Sequence, residues 1–176
     1  MTELWVFGYG SLIWRPDFPH IERRVARLIG AHRALCVYSW IYRGTQEHPG
    51  LVLGLDRGGT CRGVAFRVAA EEWENVVAYL RAREQVTPVY LEKMREVRFA
   101  DGARAQALTF MVDRASPQYA GKLDEETQLR IVMAGHGQAG PNRDYVINTA
   151  SHLAELGVPD AALDRLAARL TSAQPA

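Results

Sequence analysis

The sequence predicts an α+β fold, a mostly antiparallel, barrel-like sheet with helices around it. Three observations point there. Short apolar runs of strand character fill the first half of the chain, a single stretch of helical period interrupts them, and the last third is helical throughout. Strands and helices do not alternate as they would in a parallel βαβ sheet, so an antiparallel sheet is the natural arrangement.

Leu4 to Phe7 is an apolar run that meets glycines at Gly8 and Gly10, and reads as a buried strand entering a tight loop. Arg15-Pro16-Asp17-Phe18-Pro19 cannot continue a helix and reads as a surface loop. Arg33 to Trp40 is rich in apolar and aromatic residues and reads as a strand. Leu51 to Asp56 and Cys61 to Val68 flank Arg57-Gly58-Gly59-Thr60, which predicts a hairpin turning on the glycines.

The period changes at Ala70 to Arg83. Trp73, Val76, Val77 and Leu80 recur at i, i+3, i+4 and i+7, the stripe of an amphipathic helix. Val89 to Phe99 and Arg104 to Val112 flank Asp101-Gly102 as a second hairpin. Asp124 to Ala134 reads as a helix with acidic residues in its first turn and glycines at 135 and 137 to stop it. A further helix runs from Asn142 to Leu156, ended by Gly157. Pro159 opens the last, with Leu163, Leu166 and Leu170 on one face, and Thr171 to Ala176 is expected to fray. The whole chain, 1–176, is expected to be a single domain, with no repeat or linker.

Composition narrows the function. The chain has 176 residues, 48% hydrophobic and 23% charged, with a formal net charge of +1. Its basic residues are scattered, so neither nucleic acid nor an anionic membrane is an expected partner. No apolar run approaches the roughly 20 residues of a membrane span. The N-terminus lacks the basic and apolar segments of a signal peptide, and Cys36 and Cys61 sit far apart in apolar stretches, a reduced pair that suits the cytoplasm. The oligomeric state is left open, with a monomer the simplest expectation.

Two features could carry chemistry. Glu84 lies four residues after Leu80, which places it on the apolar stripe of its helix. A carboxylate there is either a helix-end group ion-paired to Arg81 or Arg83, or a desolvated general acid/base with a raised pKa. The spacing alone leaves both open. The second feature is Phe7-Gly8-Tyr9-Gly10-Ser11-Leu12, whose glycines let main-chain N–H groups approach an anion. It is not a dinucleotide fingerprint, since Ile13 stands where the third glycine would be. Nor is it a nucleophile elbow, since Tyr9 occupies the position two before Ser11. The five histidines show no metal-ligand spacing, so no metal or other cofactor is expected. Tyr9, Tyr90, Tyr119 and Tyr145 are packing residues by default, and any of them could offer a hydroxyl to a polar substrate.

The run Val6-Phe7-Gly8-Tyr9-Gly10-Ser11-Leu12-Ile13-Trp14-Arg15-Pro16 resembles the opening signature of the ChaC-type γ-glutamylcyclotransferases. Similar in order are Pro49 to Leu55, Arg62 to Arg67, Arg83-Glu84-Gln85-Val86-Thr87 followed by Tyr90, Ser116 to Tyr119 and Gly140 to Tyr145. The stretch Tyr38 to His48 departs from the eukaryotic members and is closer to the bacterial ones. The resemblance implies a small mixed barrel with helices around it and cleavage of glutathione to 5-oxoproline and cysteinylglycine without metal or cofactor. It places the catalytic glutamate at Glu84 and the substrate loop at Gly8 to Leu12. Two other readings remain: a cyclotransferase for other γ-glutamyl amino acids or γ-glutamylamines, and a non-catalytic module that holds a small anion.

Overall fold

The structure, a computed structural model, describes residues 2–173. Its elements run β1 (Leu4–Gly8), β2 (Glu22–Ser39), β3 (Gly50–Val68), a 3₁₀ turn (Ala70–Glu72), α1 (Trp73–Glu84), β4 (Tyr90–Phe99) and β5 (Arg104–Val112). Then come α2 (Glu125–Ala134), the two-residue strands β6 (His136–Gly137) and β7 (Gly140–Pro141), α3 (Asn142–Glu155) and α4 (Ala161–Ser172).

Five strands close a barrel in the order β1-β3-β2-β4-β5. β1 lies antiparallel to β3, and β4 lies antiparallel to both β2 and β5. Parallel pairing of β1 with β5, Trp5 opposite Ala107 and Val6 opposite Leu108, closes the ring and leaves no free sheet edge there. The chain divides into two compact units, 1–34 with 55–116 and 35–54 with 117–176, and the division falls within β2 and within β3.

In the first unit the barrel interior is filled by Trp5, Phe7, Ala26, Leu28, Leu55, Ala65, Val97, Phe99 and Met111, with the rings of Trp5 and Phe99 4.9 Å apart. Strand alternation sends Ala65 into this core and Phe66 to the outer face. Phe18 packs edge-on to Phe66 at 5.5 Å and meets Tyr79 of α1 at 6.4 Å. Val76 and Leu80 are fully buried, so α1 lies with its apolar stripe inward as its period requires.

One expectation fails. Residues 57–60 do not form a hairpin turn, because β3 runs unbroken from Gly50 to Val68. Gly58 and Gly59 do have positive φ, +95° and +72°, but inside a strand. Beside them, His32 of β2 hydrogen-bonds to the Gly58 carbonyl at 2.9 Å. Arg67 and Glu22 pair at 2.9 Å farther along the same two strands. Left-handed glycines serve a tight turn or a distorted strand equally well, and here the neighbouring long strand decides. β2 likewise begins at Glu22, well before the apolar stretch at Arg33.

In the second unit, α3 and α4 pack together with Leu153, Leu163, Leu166 and Leu170 buried. Asp124 and Asp160 cap α2 and α4, their side chains accepting from the N–H groups of Thr127 and Leu163. α4 continues through Thr171 and Ser172, where fraying was expected; residues 174–176 of that tail lie outside the described residues. Asn142, fully buried at the start of α3, accepts from the Leu51 N–H and donates to the Leu51 carbonyl, both at 2.8 Å. Its amide thereby pairs with both the main-chain N–H and the main-chain carbonyl of one residue of β3.

Asn142→Asp keeps the shape but replaces the donor with an oxygen, leaving the buried Leu51 carbonyl facing a second acceptor. Thermal unfolding should show a loss of roughly 1–3 kcal/mol. An unchanged melting temperature would show that this bidentate contact contributes nothing.

Candidate active site

Glu84 is the last residue of α1, in line with Val76 and Leu80. Its side chain is 22% exposed, and burial pushes its carboxyl above the usual carboxylate range. The C-terminal end of a helix, with its partial negative charge, also disfavours a carboxylate. One influence opposes burial: the Arg83 guanidinium, whose Nε stands 3.7 Å from Glu84 Oε1.

That separation is too long for a hydrogen bond. Among the described residues the Glu84 carboxylate accepts none. The structure thus separates the two readings that spacing left open. Arg81 is engaged elsewhere, holding Glu92 of β4 through two contacts of 2.7 and 3.0 Å that keep Glu92 below its usual range. Arg83 directs its Nη N–H groups to other acceptors, the Arg15 carbonyl, the Tyr79 hydroxyl at 3.0 Å and Ser11 Oγ at 3.1 Å. Glu84 is therefore a partly desolvated carboxylate whose lone pairs are uncommitted, which is what a proton acceptor needs.

The turn after β1 is built as the sequence indicated. Ile13 N–H donates to the Gly10 carbonyl at 2.9 Å and Arg15 N–H to the Ser11 carbonyl at 2.8 Å. Phe7 and Leu12 are buried, so neither side chain can meet a ligand on the surface; the Phe7 carbonyl accepts from Thr109 Oγ1. Arg33 Nε donates to the Tyr9 carbonyl at 2.6 Å. The N–H groups of Gly10, Ser11 and Leu12 donate to no protein group among the described residues. Gly8 carries a tight approach from β3. A Cβ on Gly63 would collide with the Gly8 carbonyl and the Phe7 ring, so glycine at 63 lets the two strands meet where the turn begins.

The Arg83–Ser11 contact brings the turn and the helix of Glu84 together within the first unit. Tyr90, half-buried, starts β4 in the same unit. Tyr119 and Tyr145 belong to the second. There Tyr119 bridges to Val37, and the Tyr145 hydroxyl accepts from the Leu53 N–H at 3.0 Å with Arg43 over its ring at 5.6 Å. That hydroxyl serves β3 structurally. Arg83, Arg33 and Tyr79 were not singled out from sequence as site residues; only the adjacency of Arg83 to Glu84 hinted at the first. No cluster of three or more potential metal ligands occurs among the described residues. A surface depression of about 560 Å³ lined by Arg27, Arg62, Arg98 and Phe99 contains none of the candidate residues.

Comparison with known proteins places these features in a family. Residues 4–173 match the family described as ChaC-like protein. The chain is 34% identical to the glutathione-specific γ-glutamylcyclotransferase of Escherichia coli over 93% of its own length and 71% of the relative's. It is 35% identical to the human glutathione-specific γ-glutamylcyclotransferase 1, covering 94% and 76%. The crystal structure of a γ-glutamyl cyclotransferase specific to glutathione from yeast superposes with a TM-score of 0.84 at 20% identity, over 97% of this chain and 96% of that one.

The buried carboxyl has a stability consequence. Because its folded pKa lies above the unfolded value, ionisation costs the folded state. The cost is absent below the ordinary glutamate pKa, grows as pH rises through the window between the two values, and is complete above the folded one. Glu84→Gln should therefore raise the melting temperature by a few degrees at pH 7–8, with the difference disappearing near pH 4. A melting curve that is lowered at neutral pH would mean that the ionised carboxylate is stabilised in place.

Proposed function

Because the chain belongs to the ChaC-like family, we infer that it cleaves the γ-glutamyl amide of glutathione by cyclisation, releasing 5-oxoproline and cysteinylglycine, with Glu84 as the general acid/base. The observation that carries the assignment of Glu84 is its state: a helix-borne carboxylate, desolvated, without a hydrogen-bonded partner, beside a turn that offers unengaged N–H donors.

The chemistry explains why so little machinery is present. A γ-glutamyl group carries its own nucleophile, the α-amine, and folding the chain back brings that amine onto the γ-carbonyl to close a five-membered ring. The enzyme's first task is to hold that folded conformer, which converts binding into rate. The amine is mostly an ammonium at neutral pH and cannot attack in that form. A carboxylate with a raised pKa takes its proton, and after the ring closes, returns a proton to the departing cysteinylglycine amine. Glu84 performs both steps in turn. The carbonyl oxygen becomes an oxyanion meanwhile, and the N–H groups of Gly10, Ser11 and Leu12 are the donors available for it or for the substrate α-carboxylate. No serine or cysteine nucleophile is required, and Cys36 and Cys61, not joined in a disulfide, are buried. Glutathione is abundant in the reducing cytoplasm, the compartment that such cysteines suit. Among the described residues no helix is long and apolar enough to cross a membrane.

Incubation with glutathione in ¹⁸O-labelled water tests the reaction. Cyclisation introduces no solvent oxygen, so 5-oxoproline should form unlabelled alongside an equal amount of cysteinylglycine. Free glutamate labelled in its γ-carboxylate would instead identify a hydrolase, and preferential turnover of γ-glutamylalanine would move the substrate assignment. Glu84→Gln should lower kcat by roughly 10²–10⁴ while leaving KM within a few-fold. Turnover near the unsubstituted level would remove Glu84 from the mechanism.

A further inference from the structure

Arg83 stands at the junction of the two features just described, and its guanidinium is almost entirely spoken for. Nη1 donates to the Arg15 carbonyl and to the Tyr79 hydroxyl, Nη2 donates to Ser11 Oγ, and Nε faces Glu84. The side chain is 20% exposed, so these contacts are held in a partly dehydrated place rather than on open surface. Arg15 and Ser11 are the two ends of the turn segment closed by the Arg15 N–H to Ser11 carbonyl bond. On the other side the turn is anchored by a second arginine: Arg33 Nε holds the Tyr9 carbonyl at 2.6 Å while its Nη2 holds the Arg62 carbonyl of β3 at 2.7 Å. The three unengaged N–H groups, at 10, 11 and 12, lie in sequence between these two anchors.

We propose that Arg83 is a positioning residue for the reaction: it clamps the turn that carries the substrate-facing N–H groups onto the helix that carries Glu84, and so fixes the span between the donors and the base. The proposal rests on Glu84 being the base. The physical need is plain. The substrate amine must meet Glu84 while the same substrate's carbonyl or carboxylate meets the turn, and a misplacement of about 1 Å between the two can cost about 10²-fold in rate. Only arginine suits the place. Its planar fork sends N–H groups toward three separate acceptors and still presents an edge to Glu84, whereas a lysine has one nitrogen and cannot reach all of them. Arg81, two residues earlier and on the opposite side of the helix, cannot take over, and Glu92 holds its fork.

Arg83 also has an electrostatic effect that serves as a readout. Burial raises the Glu84 pKa and the Arg83 charge opposes it. Of the other charged groups nearby, Arg81 and Glu92 are joined to each other, and Arg15 turns its carbonyl to the fork while its residue is exposed. Removing the Arg83 charge therefore raises the Glu84 pKa further, and removing only its fork does not.

Arg83→Lys, Arg83→Met and Glu84→Gln are to be compared on the full chain for kcat, KM, melting temperature and the acid limb of the kcat–pH profile. Arg83→Lys should lose roughly 10- to 100-fold in kcat with its acid limb in place and its melting temperature near the original. Arg83→Met should lose at least as much, with the acid limb moved to higher pH. Ser11→Ala alone should cost several-fold, and in the Arg83→Lys background nothing further, since the contact is already gone. Unchanged kcat in Arg83→Lys overturns the clamp. So does a loss in both variants that follows lowered melting temperature with an unmoved acid limb, because Arg83 would then be structural only. If Arg83→Met turns over normally while Glu84→Gln is inactive, the clamp alone is wrong. If Glu84→Gln is active, the base assignment is wrong and the clamp falls with it.

Discussion

The burial of the α1 stripe governs the arrangement of everything around Glu84. Val76 and Leu80 are driven inward by the hydrophobic effect, each contributing roughly 1.5–3 kcal/mol if fully removed from water. Glu84 is one turn farther along the same line, so the docking that satisfies two aliphatic side chains also carries a carboxylate out of water. A lone group of that kind would not choose such a place. It is taken there by its neighbours, at the helix end, where 22% of the side chain stays exposed. The raised pKa is thus a by-product of helix packing, and it brings the carboxyl closer to the range in which a base is useful at neutral pH.

A carboxylate proposed as the base is of use only if something holds the substrate at a fixed distance from it, and the turn after β1 is positioned by direct contacts. Its start is fixed by strand pairing, where Gly63 allows β3 to pass against the Gly8 carbonyl. Its carbonyls are then taken up by two arginines, Arg33 from β2 and Arg83 from α1. With carbonyls engaged on the protein side, the N–H groups of residues 10–12 are the polar groups left over. That polarity suits an anionic or carbonyl oxygen and rejects a cation, in keeping with the γ-glutamyl substrate proposed above.

Much of this was legible in the sequence where a local rule decides the outcome. The i, i+3, i+4, i+7 stripe of α1, the Asp101-Gly102 hairpin with Arg98 opposite Arg104, the Asp124 cap and the leucine face of α4 all depend on neighbours within a few residues. The failures are where partners distant in sequence decide. Gly58-Gly59 carries the conformational signature of a turn, yet the pairing of β3 with the long β2 keeps it within one strand. The first half of β2 mixes arginines with apolar residues in no regular alternation; it is held in the barrel by pairing of Ala26, Arg27 and Leu28 with β4. The candidate site divides the same way. Glu84 could be placed on the stripe from its spacing, but whether Arg81 or Arg83 neutralised it depended on Glu92, Ser11 and Arg15, which no spacing brings together.

The sparseness of the candidate chemistry follows from the reaction itself. When a substrate brings its own nucleophile, the protein needs no serine–histidine or cysteine–histidine pair, and the arrangements most readily recognised from spacing are missing for a physical reason. What remains is one carboxylate, a few main-chain donors and the residues that keep them apart by the right amount. Main-chain donors leave only glycines as their trace in a sequence, and glycines have many other uses. A carboxylate at a helix end has an ordinary explanation as well. Residue identity therefore says less here than geometry does, and the geometry is held by guanidinium groups that touch no substrate in the proposed mechanism. For an enzyme of this kind, the residues with the largest effect on rate after the base should be those that anchor its binding turn, even though none of them takes part in bond making.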